Sequence, residues 1–230
     1  MTDFALARHN MVEGQIRTNK VTDPALLDAL AALPREQFVP AERRSAAYVD
    51  EDLRLAGERY MMEPMVLARL LQAAEPTRTD VALDVGCGTG YATAVLARLT
   101  ATAIGLEADP ALARAAGETL ARLAIDNAIV VEGRLADGYP KHGPYDIVFV
   151  NGAVEEFPQA LIEQLAEGGR PRRHPPDRRR AGRGDAAAEA PRRGRRPHAV
   201  RSGHALSRGI CAEASFRFLK AATAKAGRRV

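Results

Sequence analysis

The residues best suited to chemistry lie in one stretch, Leu83-Asp84-Val85-Gly86-Cys87-Gly88-Thr89-Gly90. Glycines at this spacing let the chain turn tightly and let its backbone approach a ligand with no side chain between. A helix that starts directly after such a turn points free N–H groups at the same ligand. Two acids flank the loop. Asp84 precedes the glycines, where a carboxylate can hold an ammonium group directly or through water. Glu107 ends the next apolar run, where it can accept both hydroxyl hydrogens of a ribose. No Lys-Ser or Lys-Thr pair follows the glycines, so the loop is not a P-loop. The third glycine also comes one residue early for the Gly-x-Gly-x-x-Gly dinucleotide fingerprint.

A ligand with a ribose, an amino-acid moiety and no phosphates suits this arrangement, and S-adenosylmethionine has those parts. The residues expected to bind it are Asp84, Gly86, Cys87, Gly88, Gly90, Glu107 and Asn151. Asn151 ends a later apolar run. Cys87 reads as a small loop-packing residue, since its flanking glycines leave little room for a base that would activate the thiol. A plain glycine turn without a nucleotide is the alternative. No metal site is expected. His9 and His142 read as surface or helix-packing residues, and His174, His198 and His204 lack zinc spacing. Asp50-Glu51-Asp52 reads as a solvated charged turn. Met61, Met62 and Met65 read as lining of a pocket or core.

The elements that must position these residues follow from periodicity. Val81–Val85, Ala101–Leu106, Ala128–Glu132 and Asp146–Val150 are short apolar runs that predict strands. Tyr91–Leu99, Ala111–Leu123 and Pro158–Ala166 carry helical spacing. This alternation predicts an α/β fold, a parallel Rossmann-like sheet with right-handed crossovers and helices on both faces. Upstream, residues 4–33 read as helical, with Leu6, His9, Met11, Val12 and Ile16 at roughly helical spacing. Thr22-Asp23-Pro24 opens a second helix and Pro34 stops it. Pro64–Glu75 is a third, with Met65, Leu67, Leu70 and Leu71 on its apolar face. Residues 34–60 show no clear pattern. The expected organisation is a helical extension and substrate segment (1–78), an α/β core (79–169) and a basic tail (170–230).

The tail stands apart in composition. Of the 33 Lys and Arg residues, 18 fall in residues 170–230 with 4 of the 29 acids, which leaves 15 basic and 25 acidic residues in the first 169. The net charge of +4 therefore averages an acidic body and a basic tail. Between residues 170 and 205, Val200 is the only Val, Ile, Leu, Met or Phe, too little apolar area to offset ordering entropy. Two readings remain: a disordered basic arm that binds polyanions such as nucleic acid weakly, or the product of a shifted reading frame in a GC-rich gene. No apolar run is long enough to span a membrane. The N-terminus lacks a secretory pattern, and two cysteines cannot build a disulfide framework. A cytoplasmic location is the expectation.

The residues also resemble a known family, the protein-L-isoaspartate O-methyltransferases, a branch of the class I S-adenosylmethionine-dependent methyltransferases. The resemblance spans roughly residues 8–170. It rests on Met11-Val12-Glu13-Gly14-Gln15-Ile16-Arg17, Val21-Thr22-Asp23, Pro34-Arg35-Glu36-Gln37-Phe38-Val39-Pro40, Pro64, the glycine loop, Glu107, Pro144-Tyr145-Asp146 and Leu161 to Gly169. It implies methyl transfer to the α-carboxylate of an isoaspartyl residue in a damaged protein, and collapse of the ester to a succinimide, for net repair. The substrate is then a protein or peptide carboxylate. A carboxylate nucleophile is already ionised at neutral pH, so no strong general base is required. The family's Thr-Ile-Ser-Gln-Pro segment, which touches substrate and cofactor, is Tyr60-Met61-Met62-Glu63-Pro64 here. This makes Tyr60 and Met62 the residues expected at the catalytic position. The family's Gly-Asp-Gly after the third strand is Gly133-Arg134-Leu135, so the resemblance implies that Gly133 and Arg134 also bind the cofactor. Two further readings stay open: the same chemistry on another acceptor, and an inactive homologue whose tail binds nucleic acid.

Overall fold

The computed structural model of the chain describes residues 3–152, 154, 157–166, 169–171 and 218–221. Helix α1 (Phe4–Asn10) is capped by Asp3 and runs into a π-helical stretch, Met11–Ile16. Met11, Val12 and Ile16 are buried, but Leu6 and His9, which spacing puts on the same stripe, are exposed. The switch to i→i+5 bonding at Met11 turns later side chains off a stripe extrapolated at 3.6 residues per turn. In α2 (Pro24–Ala32) the Asp23 carboxylate accepts from the Leu26 amide at 2.8 Å, and Leu26, Leu27, Ala29 and Leu30 are buried. The stop comes at Leu33, just before Pro34.

Residues 34–60, unpatterned in sequence, contain a hairpin. Strands β1 (Leu53–Ala56) and β2 (Arg59–Met61) pair antiparallel, with Gly57 at positive φ in the turn. The acidic stretch before it is more than a solvated turn. The Asp52 and Asp50 carboxylates accept from the amides of Glu63 and Met65 at 3.0 and 3.1 Å and so cap helix α3 (Pro64–Ala74). Leu67 and Leu71 are buried on α3, while Met65 and Leu70 are half-buried.

The main sheet follows the expected alternation: β3 (Val81–Val85), α4 (Tyr91–Leu99), β4 (Thr102–Glu107), α5 (Pro110–Arg122), β5 (Ala128–Glu132), β6 (Ile147–Val150) and α6 (Gln159–Glu163). Successive side chains alternate between two cores. Ala82, Ala103, Ile147 and Phe149 join one with residues of α2, α3 and α4, while Leu83, Val85, Ile104, Leu106 and Val148 join the other with Leu161 of α6. Helices thus cover both faces. The six strands run β5-β4-β3-β6-β8-β7, and the first four are parallel.

The far edge of the sheet draws on the stretch read from sequence as a basic tail. The backbone of β7 (Gly169–Pro171) and β8 (Phe218–Ala221) joins the sheet, β8 lying antiparallel to both β6 and β7. Residues 218–221 fall where apolar residues return in the basic stretch, and their pairing supplies β6 with a second neighbour. The readings of residues 172–217 and 222–230 lie outside the described residues. No helix among the described residues is long and apolar enough to cross a membrane.

Candidate active site

Parallel pairing of β3 and β4, with Val85 opposite Leu106, puts the glycine loop and Glu107 at one edge of the sheet. The amides of Gly86 and Cys87 both donate to the Leu106 carbonyl, at 2.8 and 3.1 Å, and curl the loop over the tip of β4. Gly86, Gly88 and Gly90 have φ of 82, 57 and 90°, a region costly for residues with a Cβ. A Cβ on Gly88 would also stand 2.9 Å from Leu55 Cδ1 of the hairpin. The Thr89 hydroxyl donates to the Phe38 carbonyl at 2.5 Å, which ties the loop to the Pro34–Pro40 segment. Helix α4 starts directly at Tyr91.

Both expected acids are buried in this crevice. Glu107 accepts on Oε1 from the amides of Ala108 and Asp109 at 2.8 and 3.1 Å. On Oε2 it accepts from the Gly88 amide at 2.7 Å and from Arg59 Nη2 at 2.5 Å. The carboxylate thus joins the loop after β3 to the loop after β4, with the hairpin's guanidinium on top. Asp84 is wholly buried and accepts on Oδ2 from the Thr93 hydroxyl of α4 at 2.7 Å, while its Oδ1 has no hydrogen-bond partner. Burial pushes its carboxyl up to about 7. The Thr93 hydroxyl, the Asn151 side chain and Arg59 pull against that shift, and Glu107 adds to it. An unpartnered carboxylate oxygen in a dry site is an acceptor waiting for a donor.

Beside the cradle lies a small pocket lined by Leu55, Tyr60, Met61, Met62, Leu67, Cys87, Thr89, Tyr91, Ala92 and Asn151. It brings the expected catalytic pair, Tyr60 and Met62, to Cys87 and Asn151. Tyr60 is 40% exposed and Met62 is buried. Cys87 is buried within the loop, its Sγ 3.0 Å from where a Cβ on Gly105 would stand; burial pushes its thiol well above the usual range, so it packs rather than reacts. Asn151 is held by its amide on the Val85 carbonyl at 2.9 Å. Gly133 is tied by its amide to the Glu107 carbonyl at 3.0 Å. The Arg134 side chain is not drawn into the cradle: it is exposed and lies 3.7 Å from Asp137.

Three residues of the site escaped the sequence. Arg59 sits on an unrecognised hairpin, and nothing in its local pattern marks it. Thr93, one α4 turn beyond the loop, looks like an ordinary helix residue. Arg35 is wholly buried under the substrate segment, donating from Nε to the Ala47 carbonyl and from Nη2 to the Met62 carbonyl, both at 2.7 Å, with its guanidinium 4.7 Å from the Tyr91 ring centre. Its place in Pro34–Pro40 was the one available signal. No cluster of His, Cys, Asp and Glu among the described residues could hold a metal ion.

The sequence model for Protein-L-isoaspartate(D-aspartate) O-methyltransferase matches residues 7–171. The chain belongs to that family. It is 39% identical over 170 residues to the protein-L-isoaspartate O-methyltransferase of Koribacter versatilis, covering 74% of this chain and 77% of the relative. A solved protein-L-isoaspartate O-methyltransferase superposes with a TM-score of 0.62 at 29% identity, over 70% of this chain; the chain spans about half (53%) of that protein's length. A Plasmodium falciparum structure described as a putative protein-L-isoaspartate O-methyltransferase in complex with S-adenosyl-L-homocysteine shares the fold, with a TM-score of 0.58 at 20% identity over 73% of this chain and 82% of that one. The family is one of S-adenosylmethionine-dependent O-methyltransferases, as the glycine loop and its two acids suggested, and the Rossmann-like α/β sheet is the family's fold. The crevice of this isoaspartyl methyltransferase homologue fits the cofactor by its own chemistry: a glycine cradle without side chains, an unpartnered buried carboxylate oxygen on Asp84 and a second buried carboxylate on Glu107.

Proposed function

We propose that the chain methylates the carboxylate of isoaspartyl residues in proteins or peptides, with S-adenosylmethionine as donor. The observation that carries this is the adjacency of the Asp84–glycine loop–Glu107 cradle to the pocket under Tyr60 and Met62. When bound, S-adenosylmethionine supplies an electrophilic methyl group on a sulfonium. Glu107 would hold a ribose hydroxyl and Asp84 Oδ1 the amino group. Gly86, Gly88 and Gly90 keep the backbone open to close approach. Gly133 and the Arg134 backbone border the cradle beyond β5, and Cys87 and Asn151 form the wall between cradle and pocket. Tyr60 can donate its phenol hydrogen to the acceptor carboxylate, while Met62 supplies an apolar wall and cannot donate. Exclusion of water by Leu55, Met61, Met62 and Leu67 leaves the acceptor less hydrated, and the chain's main contribution is position.

Transfer of a labelled methyl group to an isoaspartyl peptide, with the aspartyl isomer as control, tests this reading. The expected result is methylation of the isoaspartyl form alone. A second reading, the same chemistry on another acceptor, is favoured by one observation: Tyr60 and Met62 stand where the family's Thr-Ile-Ser-Gln-Pro segment has hydroxyl side chains. Cofactor binding without isoaspartyl methylation would select it. The family match ends at residue 171, so polyanion binding by the basic tail rests on its charge alone; salt-sensitive binding to nucleic acid is its test.

A further inference from the structure

Glu107 has no acceptor capacity to spare. An ionised carboxylate offers about four lone-pair sites on its two oxygens. The amides of Ala108, Asp109 and Gly88 take three, at 2.8, 3.1 and 2.7 Å, and Arg59 Nη2 takes the fourth at 2.5 Å. The three amides belong to the loops that build the cradle and cannot leave without unmaking it. Arg59 can leave: its side chain is 31% exposed and it stands on a two-stranded hairpin held by few ladder bonds. Its Nη2 also lies 3.2 Å from where a Cβ on Gly86 would be, on the open face of the glycine loop.

We propose that Arg59 competes with the cofactor's ribose for Glu107, so that the β1–β2 hairpin latches the crevice and must give up this ion pair before the ribose can reach the carboxylate. The proposal rests on the assignment of Glu107 as ribose acceptor. The released guanidinium stays on the rim beside Tyr60, next to the acceptor pocket. Cofactor affinity is then set by an exchange of one charge-assisted hydrogen bond for that of one ribose hydroxyl. Salt, which weakens the ion pair more than a neutral ribose contact, favours binding.

The test is calorimetric titration of the full-length chain and of Arg59→Gln with S-adenosylhomocysteine and with its 2′,3′-dideoxy analogue, at low and high ionic strength. Expected at low salt is a gain of roughly tenfold in affinity for S-adenosylhomocysteine in Arg59→Gln, about the worth of one charge-assisted hydrogen bond. No gain is expected for the dideoxy analogue, and the difference between the two proteins should shrink at high salt. Arg59→Lys should bind between the two, since it keeps the charge without the guanidinium fork. Equal or weaker binding by Arg59→Gln, with the wild type still preferring S-adenosylhomocysteine to the dideoxy analogue, overturns the latch and leaves the ribose assignment intact. A gain of equal size for both ligands also overturns it, because the block would then be steric and not through Glu107. If neither protein distinguishes the two ligands, the ribose assignment itself falls.

Discussion

Arg35 donates from Nη2 to the carbonyl oxygen of Met62 at 2.7 Å, from a position with no exposed surface. Its other hydrogen bond, to Ala47, is also to a carbonyl. A buried cation therefore fixes the backbone of the segment that lines the acceptor pocket. Arg35→Met keeps the side-chain length and removes both bonds. Each buried carbonyl left without a donor costs about 1–3 kcal/mol, and relief of the cation's burial offsets part of that. A lower Tm is expected, with a larger rise in KM for the accepting peptide than in Kd for S-adenosylhomocysteine. Thermal unfolding and steady-state kinetics read these two effects, and an unchanged KM would detach Arg35 from substrate positioning.

Asp84 couples stability to pH in a direction opposite to most carboxylates. Its folded value is pushed up to about 7 by burial, facing Glu107, Arg59, Thr93 and Asn151. Below the ordinary carboxyl range near ~4, the group is protonated in both folded and unfolded chains. As pH rises from there towards 7, the unfolded chain gives up the proton and the folded chain keeps it, so stability falls. Asp84→Asn should abolish this slope and raise stability at pH 8 while weakening S-adenosylhomocysteine binding by about 1–3 kcal/mol. In the wild type the same binding should weaken as pH drops below about 7. Denaturation and calorimetry across pH 5–9 would show both, and a pH-independent affinity would remove Asp84 from amine binding.

Gly88 combines two constraints, a φ of 57° and a would-be Cβ 2.9 Å from Leu55 Cδ1. Gly88→Ala should cost about 1–2 kcal/mol from backbone strain alone, and more from the collision. Leu55→Ala in the same chain relieves only the collision. A double-mutant cycle by denaturant unfolding should therefore return a favourable coupling between the two sites. Strict additivity would mean that the hairpin does not press on the loop.

The acceptor pocket can be returned towards the family pattern. Tyr60→Thr with Met62→Ser restores two hydroxyl donors to the wall. An increase of roughly tenfold in kcat/KM for an isoaspartyl peptide is expected, the worth of about one added hydrogen bond at the transition state. A loss would indicate that Tyr60 has taken over the contact to the acceptor.

The charge around Glu63 makes a prediction about peptide sequence. Burial and the neighbours Asp50, Asp52 and Glu51 hold its carboxyl above the usual range. Glu63 adjoins Met62 in the pocket wall, so this negative rim should favour isoaspartyl peptides with Lys or Arg flanks over acidic ones. The preference should fade as salt is raised, and a preference for acidic flanks would contradict it.

Much of this architecture was legible because it is local. The strand–glycine loop–helix unit at 81–99 and the acid at the end of β4 are each written in a short window. Periodicity alone predicted two of the four parallel strands, Val81–Val85 and Ala128–Glu132, without error and the other two to within one residue at each end. The hairpin was not legible: Leu53–Met61 is short, rich in charge and marked only by one glycine, and its register depends on contacts with a loop far along the chain. Arg59 and Glu107 are 48 residues apart, and no period relates them. Strand β8 escaped for a similar reason, since the apolar content around Phe218 acquires meaning only beside β6. Arg134 keeps its place in the motif after β5, and its side chain turns towards Asp137.

Glu107 gathers amides from two separate loops of the chain itself. The ordering entropy of those loops is therefore met during folding and not charged to recognition, so the crevice is preorganised. Structural adjustment on docking should be confined to the hairpin, and hydrogen exchange in residues 53–61 should respond to the nucleoside more than exchange in residues 86–90.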